Sequence, residues 1–268
     1  MIYKTSLLVL IIAVLWSCKK ESSKTEISLE VIEQPVEKKT IKAREITSEK
    51  KTIQFPSKDG LTITADIYRV GNKPVSILLC HQAGFSRGEY KDTALQLNEL
   101  GYSVMAIDQR SGNVANDVIN ETAKLAKSKS LPANYLNARQ DIEAAIDYAY
   151  ANNGNTPILL VGSSYSASLA LLIGNTNAKV KNIAAFSPGE YFKGMDIQNA
   201  IKDISKPVFV TASNSETPAL TALVSKINGK YVYHYKPEEK GIHGSRALWS
   251  TTEGSEGYWI SFKAFLDL

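Results

Sequence analysis

Residues 157–171 constrain the fold more tightly than any other part of the chain. Four apolar residues, Ile158, Leu159, Leu160 and Val161, follow Pro157 and suit a strand covered on both faces of a parallel sheet. Gly162-Ser163-Ser164-Tyr165-Ser166 interrupts that run, and Ala167-Ser168-Leu169-Ala170-Leu171 then restores apolar character with residues that favour helix. The segment predicts a buried strand turning sharply into a buried helix, with Ser164 at the corner. Small residues beside Ser164 let strand and helix approach closely and tolerate backbone strain. The same pattern also suits an ordinary strand-to-helix loop with Ser166 or Ser168 near the helix start. Ser164 therefore needs partners from elsewhere before any chemistry can be assigned to it.

The rest of the chain repeats the alternation of strand and helix. Residues 53–55 and 61–70, joined by Pro56-Ser57-Lys58-Asp59-Gly60, read as a hairpin around an Asp-Gly turn. Residues 75–80 form the first fully apolar strand. A helix is expected over 89–100, with Ala94, Leu95, Leu97 and Leu100 on its inner face and Gly101 stopping it. A strand at 103–107 ends in Asp108-Gln109-Arg110-Ser111-Gly112. Residues 111–136 form the longest interruption, with a short helix expected over 118–127; loops of this length are uncommon and often functional. Asn137 is placed to cap an amphipathic helix that turns Ile142, Ala145, Ile146 and Ala149 inward. Further strands are read at 183–186, 207–210 and 231–235, and further helices at 218–227 and 257–268. The expected class is α/β: a doubly wound, mostly parallel sheet flanked by helices. Between residues 186 and 207 there is room for one short helix, so no large cap domain is expected.

The N-terminus reads differently. Lys4, an apolar run over 7–16 and Ser17-Cys18 suit an export signal too short to span a membrane. Leu15-Trp16-Ser17-Cys18 resembles a bacterial lipobox, whose cysteine becomes the lipidated first residue of the mature protein. An ordinary signal peptide and an uncleaved anchor are the alternatives. Residues 1–17 are then a signal peptide, 18–50 a solvated tether rich in Lys, Glu, Ser and Thr, and 51–268 the folded domain. This organisation predicts an exported protein, held on a bacterial membrane by lipid on Cys18 and facing periplasm or exterior. With Cys18 lipidated, Cys80 has no partner for an internal disulfide.

A formal net charge of +4, from 31 basic and 27 acidic residues without a basic stripe, argues against nucleic acid as a partner. No His-Glu-x-x-His pair, dense His/Cys cluster, phosphate loop or dinucleotide glycine pattern occurs, so no metal or cofactor is expected. The sequence does not fix the oligomeric state.

Ligands of open α/β sheets bind beyond the carboxyl ends of the strands, which directs attention to the residues just after each apolar run. These are His81 and Gln82, Asp108 and Arg110, Ser164, Ser187 to Glu190, and Ser213 to Glu216. A serine hydroxyl needs a base within hydrogen-bond reach. Of the three histidines, His234 lies inside a strand pattern, His81 ends the strand before the first helix, and His243 lies in the flexible loop Gly241-Ile242-His243-Gly244-Ser245. His243 is the chosen base. Glu216 is the only carboxylate in the loop after the 207–210 strand and is the expected acid, although an acidic residue there also suits the first turn of the next helix. Glu190 competes with it.

In the order nucleophile, acid, base, these residues resemble the α/β-hydrolases, and specifically their dienelactone hydrolase-like members in lipoprotein form. The resemblance covers residues from about 52 to the end and rests on several segments. They are Cys80-His81-Gln82-Ala83-Gly84, Asp108-Gln109-Arg110-Ser111-Gly112, the corner at Ser164 in a G-x-S-x-S variant of the G-x-S-x-G nucleophile elbow, Ser187-Pro188-Gly189-Glu190 and His243-Gly244. It implies an oxyanion held by the backbone N–H of Ala83 or Gln82 and by that of Tyr165. It also implies structural roles for His81, Asp108 and Arg110. The function expected is hydrolysis of a small-molecule carboxylic ester through an acyl-enzyme on Ser164. The alternatives are an exopeptidase or amidase in which Glu190 holds a terminal amine, and a non-catalytic binding lipoprotein. The roof of the pocket is expected from 111–136 and 189–200, with Tyr191, Phe192 and Met195 offering apolar contact.

Overall fold

Period-two alternation decides which layer each strand residue joins. In the computed structural model, which describes residues 48–268, Ile158 and Leu160 of one central strand enter the hydrophobic layer on one side of the sheet. Leu159 and Val161 enter the layer on the other side. Leu78 and Cys80 against Ile77 and Leu79 divide in the same way, as do Ile183 and Ala185 against Ala184 and Phe186. Consecutive apolar residues in the middle of these strands are thus explained by burial on both faces.

The chain runs β1 (Ser48–Pro56), β2 (Thr62–Val70), β3 (Val75–Cys80), α1 (Lys91–Glu99), β4 (Ser103–Ile107), a small ribbon of β5 (Val114–Ala115) and β6 (Val118–Ile119), then α2 (Glu121–Ser128) and α3 (Arg139–Asn152). It continues with β7 (Ile158–Ser163), α4 (Tyr165–Thr176), β8 (Val180–Phe186), α5 (Ile197–Ala200), β9 (Val208–Thr211), α6 (Thr217–Val224), β10 (Val232–His234) and α7 (Ser255–Leu266). Eight strands form one sheet in the order β1-β2-β4-β3-β7-β8-β9-β10. β2 is antiparallel to both its neighbours, and every pairing from β4 to β10 is parallel. Helices α3, α4, α5 and α6 supply one apolar layer, and α1 and α7 the other. This is the expected mostly parallel, doubly wound sheet, and among the described residues only the four-residue α5 lies between β8 and β9.

Several local expectations are corrected. The signal segment, Cys18 and nearly all of the tether lie outside the described residues, but residues 48–50, assigned to the tether, extend β1 by pairing with β2. Asn134, not Asn137, caps the turn that leads into α3, and Asn137 is the reciprocal partner in that capping box. The cap sits one short 3₁₀ turn upstream, where no periodicity marks it. Residues 118–119 are strand, and Asn120 caps the helix expected there by accepting from the Ala123 N–H. On α1, Ala94 and Leu97 are buried, but Leu95 is exposed, as is Leu100 just past its end. Phe192 is buried in the core and Met195 packs against it, so neither roofs a pocket.

Candidate active site

The turn after β7 is held in a conformation that L-residues avoid. Ser164 has φ 58° and ψ −123°, a strained geometry that persists only where the surroundings fix it. The Ser164 N–H donates to the Phe186 carbonyl, so β8 clamps the corner. Gly162 is required by space: a Cβ there would fall 2.3 Å from the Ser166 carbonyl oxygen. The second glycine of the usual motif is replaced by Ser166, and its hydroxyl is used. It donates to the His81 carbonyl at 2.6 Å and accepts from Gln109 Nε2 at 2.6 Å, tying the start of α4 to the end of β3.

The sheet edge brings three distant residues into one chain of hydrogen bonds. His243 Nε2 lies 2.8 Å from Ser164 Oγ, and His243 Nδ1 lies 2.5 Å from Glu216 Oε1. Ser164 is 7% exposed, whereas the side chains of His243 and Glu216 are each about one-third exposed. The two oxygens of Glu216 have separate partners. Its Oε2 accepts from the Ser213 N–H and hydroxyl in a capping box ahead of α6, while Oε1 faces the imidazole. Burial alone would raise the Glu216 carboxyl, but hydrogen bonds from His243 and Ser213 outweigh it and hold the group at about 2. Glu216 is thus ionised throughout mild acid.

Ser187 received no role from the sequence, yet it joins two of these loops. It also has a positive φ, 54°. Its hydroxyl donates to Glu216 Oε2 at 3.0 Å and accepts the Gly244 N–H at 2.9 Å. Gly244 itself has φ 77°, and a Cβ there would meet Gln82 Oε1 at 2.4 Å and Ser163 Oγ at 2.5 Å, so the histidine loop closes onto the sheet only with glycine next to His243. The place of Ser187 just beyond an apolar strand was the one signal available for it.

The other expected site residues are placed as follows. The Gln82 N–H is engaged, donating to Glu89 Oε2 at 2.7 Å, which removes Gln82 as a free backbone donor. The Ala83 N–H has no acceptor among the described residues, and the Tyr165 N–H, first in α4, is among the donors a helix leaves unpaired. The Tyr191 hydroxyl donates to the Ser187 carbonyl at 2.9 Å, at the end of the strand next to the corner. Glu190 does not meet His243. Its two oxygens accept the Ile197 and Gln198 N–H groups at the start of α5, an engagement that neither an acid for His243 nor a free amine anchor would have. A cavity of about 550 Å³ opens beside Ala83, lined by Gly84, Ser111, Lys127, Leu131 and Tyr135 among others. Tyr135 stacks on Tyr165 with ring centres 4.5 Å apart.

His81, Asp108 and Arg110 fix loops. Asp108 accepts from Arg87 and from the Glu121 N–H, and buried Arg110 is held by Asp141 and Asp59. His81 is wholly buried, with Nδ1 2.8 Å from the Gln82 carbonyl. That contact requires the proton on Nδ1, and Nε2 then accepts from the Gln109 N–H and Asn120 Nδ2, both at 3.0 Å. Protonating Nε2 would point a hydrogen at two donors in a buried site. Burial accordingly lowers the imidazole to about 4 from 6.5. Between these values the unfolded chain binds a proton that the folded chain refuses, so stability contributed by His81 is lost as pH falls from 6.5 toward 4. Burial raises the Asp108 carboxyl to about 6, which slopes the opposite way in part of that window. The comparison that isolates His81 is therefore wild type against His81→Gln in urea titrations from pH 4 to 7. The wild type is expected to lose up to about 1.4 kcal/mol per pH unit relative to the variant, and parallel curves would contradict the assignment.

Comparison with known proteins bears on this arrangement. A family model described as serine aminopeptidase, S33, matches residues 72–240. No curated protein gives a match. Among solved structures, an esterase from Pyrococcus furiosus superimposes with a TM-score of 0.63 at 14% identity, covering 82% of this chain and 92% of that one. A dienelactone hydrolase from Anabaena variabilis gives 0.61 at 12% identity over 82% and 96%. An acylaminoacyl peptidase from Pyrococcus horikoshii gives 0.59 at 13% identity over 82% of this chain and 41% of that one. At such identities the likeness is one of fold.

Proposed function

The chain belongs to the serine aminopeptidase S33 family of α/β-hydrolases, and from that premise we propose that it hydrolyses carboxylic esters of small molecules through an acyl-enzyme on Ser164. The observation that carries the reading is the unbroken relay from Glu216 through His243 to Ser164 Oγ, at 2.5 and 2.8 Å. Ser164 Oγ attacks the ester carbonyl carbon as His243 Nε2 takes its proton. Glu216, ionised well below neutral pH, faces Nδ1 and stabilises the imidazolium that forms. The N–H groups of Ala83 and Tyr165 receive the oxyanion. Collapse breaks the bond to the alcohol, which leaves with the proton from His243, and water then attacks the acyl-enzyme by the same route in reverse.

A small-molecule substrate is supported by the cavity of about 550 Å³ that adjoins the Ala83 donor, although Ser164, Glu216 and His243 are not among its lining residues. The esterase and dienelactone hydrolase among the structural neighbours support the ester reading. Amide cleavage is the second reading, favoured by the name of the family model. The capping of α5 by Glu190 leaves that residue poorly suited to hold an amine. Short-chain p-nitrophenyl esters, run beside aminoacyl p-nitroanilides, separate the two. Ester turnover with an initial burst approaching one nitrophenolate per chain is expected. Turnover of anilides alone would establish the second reading, and turnover of neither would contradict both.

A further inference from the structure

Glu89 is a fully buried carboxylate that the proposed reaction does not use. It lies in the short turn before α1, Arg87–Tyr90. Its two oxygens bind the two loops that flank Ser164. Oε2 accepts the Gln82 N–H at 2.7 Å, one residue before the Ala83 donor, and Oε1 accepts the Ser245 hydroxyl at 2.6 Å, two residues after His243. Ser245 in turn donates its N–H to Ser163 Oγ at 2.8 Å, next to the nucleophile. The carbonyl of Glu89 accepts from Trp249 Nε1 at 2.9 Å, beyond the same histidine loop. No lysine, arginine or histidine forms an ion pair with it among the described residues. Burial raises its carboxyl, opposed by the hydrogen bonds from Ser245, Gln82 and Ser163 and by the more distant charge of Arg246.

A buried carboxylate without an ion pair is costly, and an apolar side chain of similar volume would be at least as stable in many settings. What an apolar side chain could not do is tie both loops by hydrogen bonds to the turn before α1. We propose that Glu89 is a positioning residue of the hydrolase site, fixing the oxyanion-donor loop and the histidine loop relative to Ser164. The inference rests on the reading of Ser164 and His243 given above. Glu89 touches neither substrate nor the reacting atoms. It acts through the placement of Ala83 and His243, where a displacement of 1 Å costs about 100-fold in rate.

Three substitutions test it with the ester substrate. Glu89→Gln keeps an acceptor for the Gln82 N–H and offers a donor to Ser245 Oγ, so kcat should stay within about five-fold of wild type. Glu89→Ala leaves both partners unmatched, and kcat should fall about 100-fold with KM within about two-fold. Glu89→Leu fills the space without hydrogen bonds. It should melt at or above the temperature of Glu89→Ala while its kcat stays as low. If Glu89→Ala does not fold, Glu89→Leu and Glu89→Gln decide the matter between them. Folded Glu89→Leu or Glu89→Ala with wild-type kcat would overturn the inference alone, as would activities that track melting temperature across the set. A wild-type chain that turns over no ester or amide would overturn the reading of the site, and the inference with it.

Discussion

Ser164→Ala is expected to leave the chain folded and to reduce ester turnover by at least about 10⁴-fold. The fold should survive because the substitution removes one oxygen from a corner that other groups hold. The Phe186 carbonyl still receives the N–H of residue 164, Gly162 still admits the first turn of α4, and Ser166 still bonds the His81 carbonyl. Alanine is no more strained than serine at φ 58°. Activity should collapse because, among the described residues, no other hydroxyl is bonded to His243 Nε2. A far-UV spectrum and melting curve like those of wild type, beside kinetics with the same ester panel, give the answer. Retention of more than a few per cent of kcat in a folded variant would place the nucleophile elsewhere.

Glu216→Gln is expected to cost about 10³- to 10⁴-fold in kcat, by an effect on the imidazole rather than on shape. Glu216 Oε2 accepts from the Ser213 N–H, the Ser213 hydroxyl and the Ser187 hydroxyl. A glutamine must keep its carbonyl oxygen toward those donors, which turns its NH₂ toward His243 Nδ1. Nδ1 would then have to accept, placing the imidazole proton on Nε2 against Ser164, where it blocks removal of the serine proton. The same substitution changes acid stability. The carboxyl is held at about 2 against an ordinary 4.5, so its stabilising contribution is present above about 4.5 and is lost as pH falls toward 2. Glu216→Gln lacks that contribution and should show a shallower decline of stability across that window. Glu190→Gln, which alters a residue capping α5, should leave kcat within about two-fold. Equal losses in the two variants would reinstate Glu190 as a candidate for the acid.

How far the sequence carries depends on how local each signal is. The central strands are legible because burial on both faces gives β3, β7 and β8 consecutive apolar runs, at 77–80, 158–161 and 183–186. The strand ends are legible as candidate positions, and His243 is distinguished among the histidines by a glycine-flanked loop between the last strand and the last helix. Glu216 was ambiguous for a physical reason: one oxygen caps a turn and the other faces His243. Gln82 and Ala83 could not be separated without seeing that Glu89 takes the Gln82 N–H, a contact across seven residues from a position with no periodic signature. Ser187 is marked in sequence only by its place beyond an apolar strand and Ser245 only by sharing the His243 loop, and their partners are set by long-range contacts. The ribbon of β5 and β6 is not legible in sequence because two-residue strands carry too little pattern.

The most direct test of the account is to treat the folded chain with a fluorophosphonate and locate the adduct by mass spectrometry of its peptides. One adduct per chain, on Ser164, lost in Ser164→Ala and slowed at least about 100-fold in His243→Gln, is the predicted result. No adduct near neutral pH, or one on a residue other than Ser164, would contradict the assignment of the site.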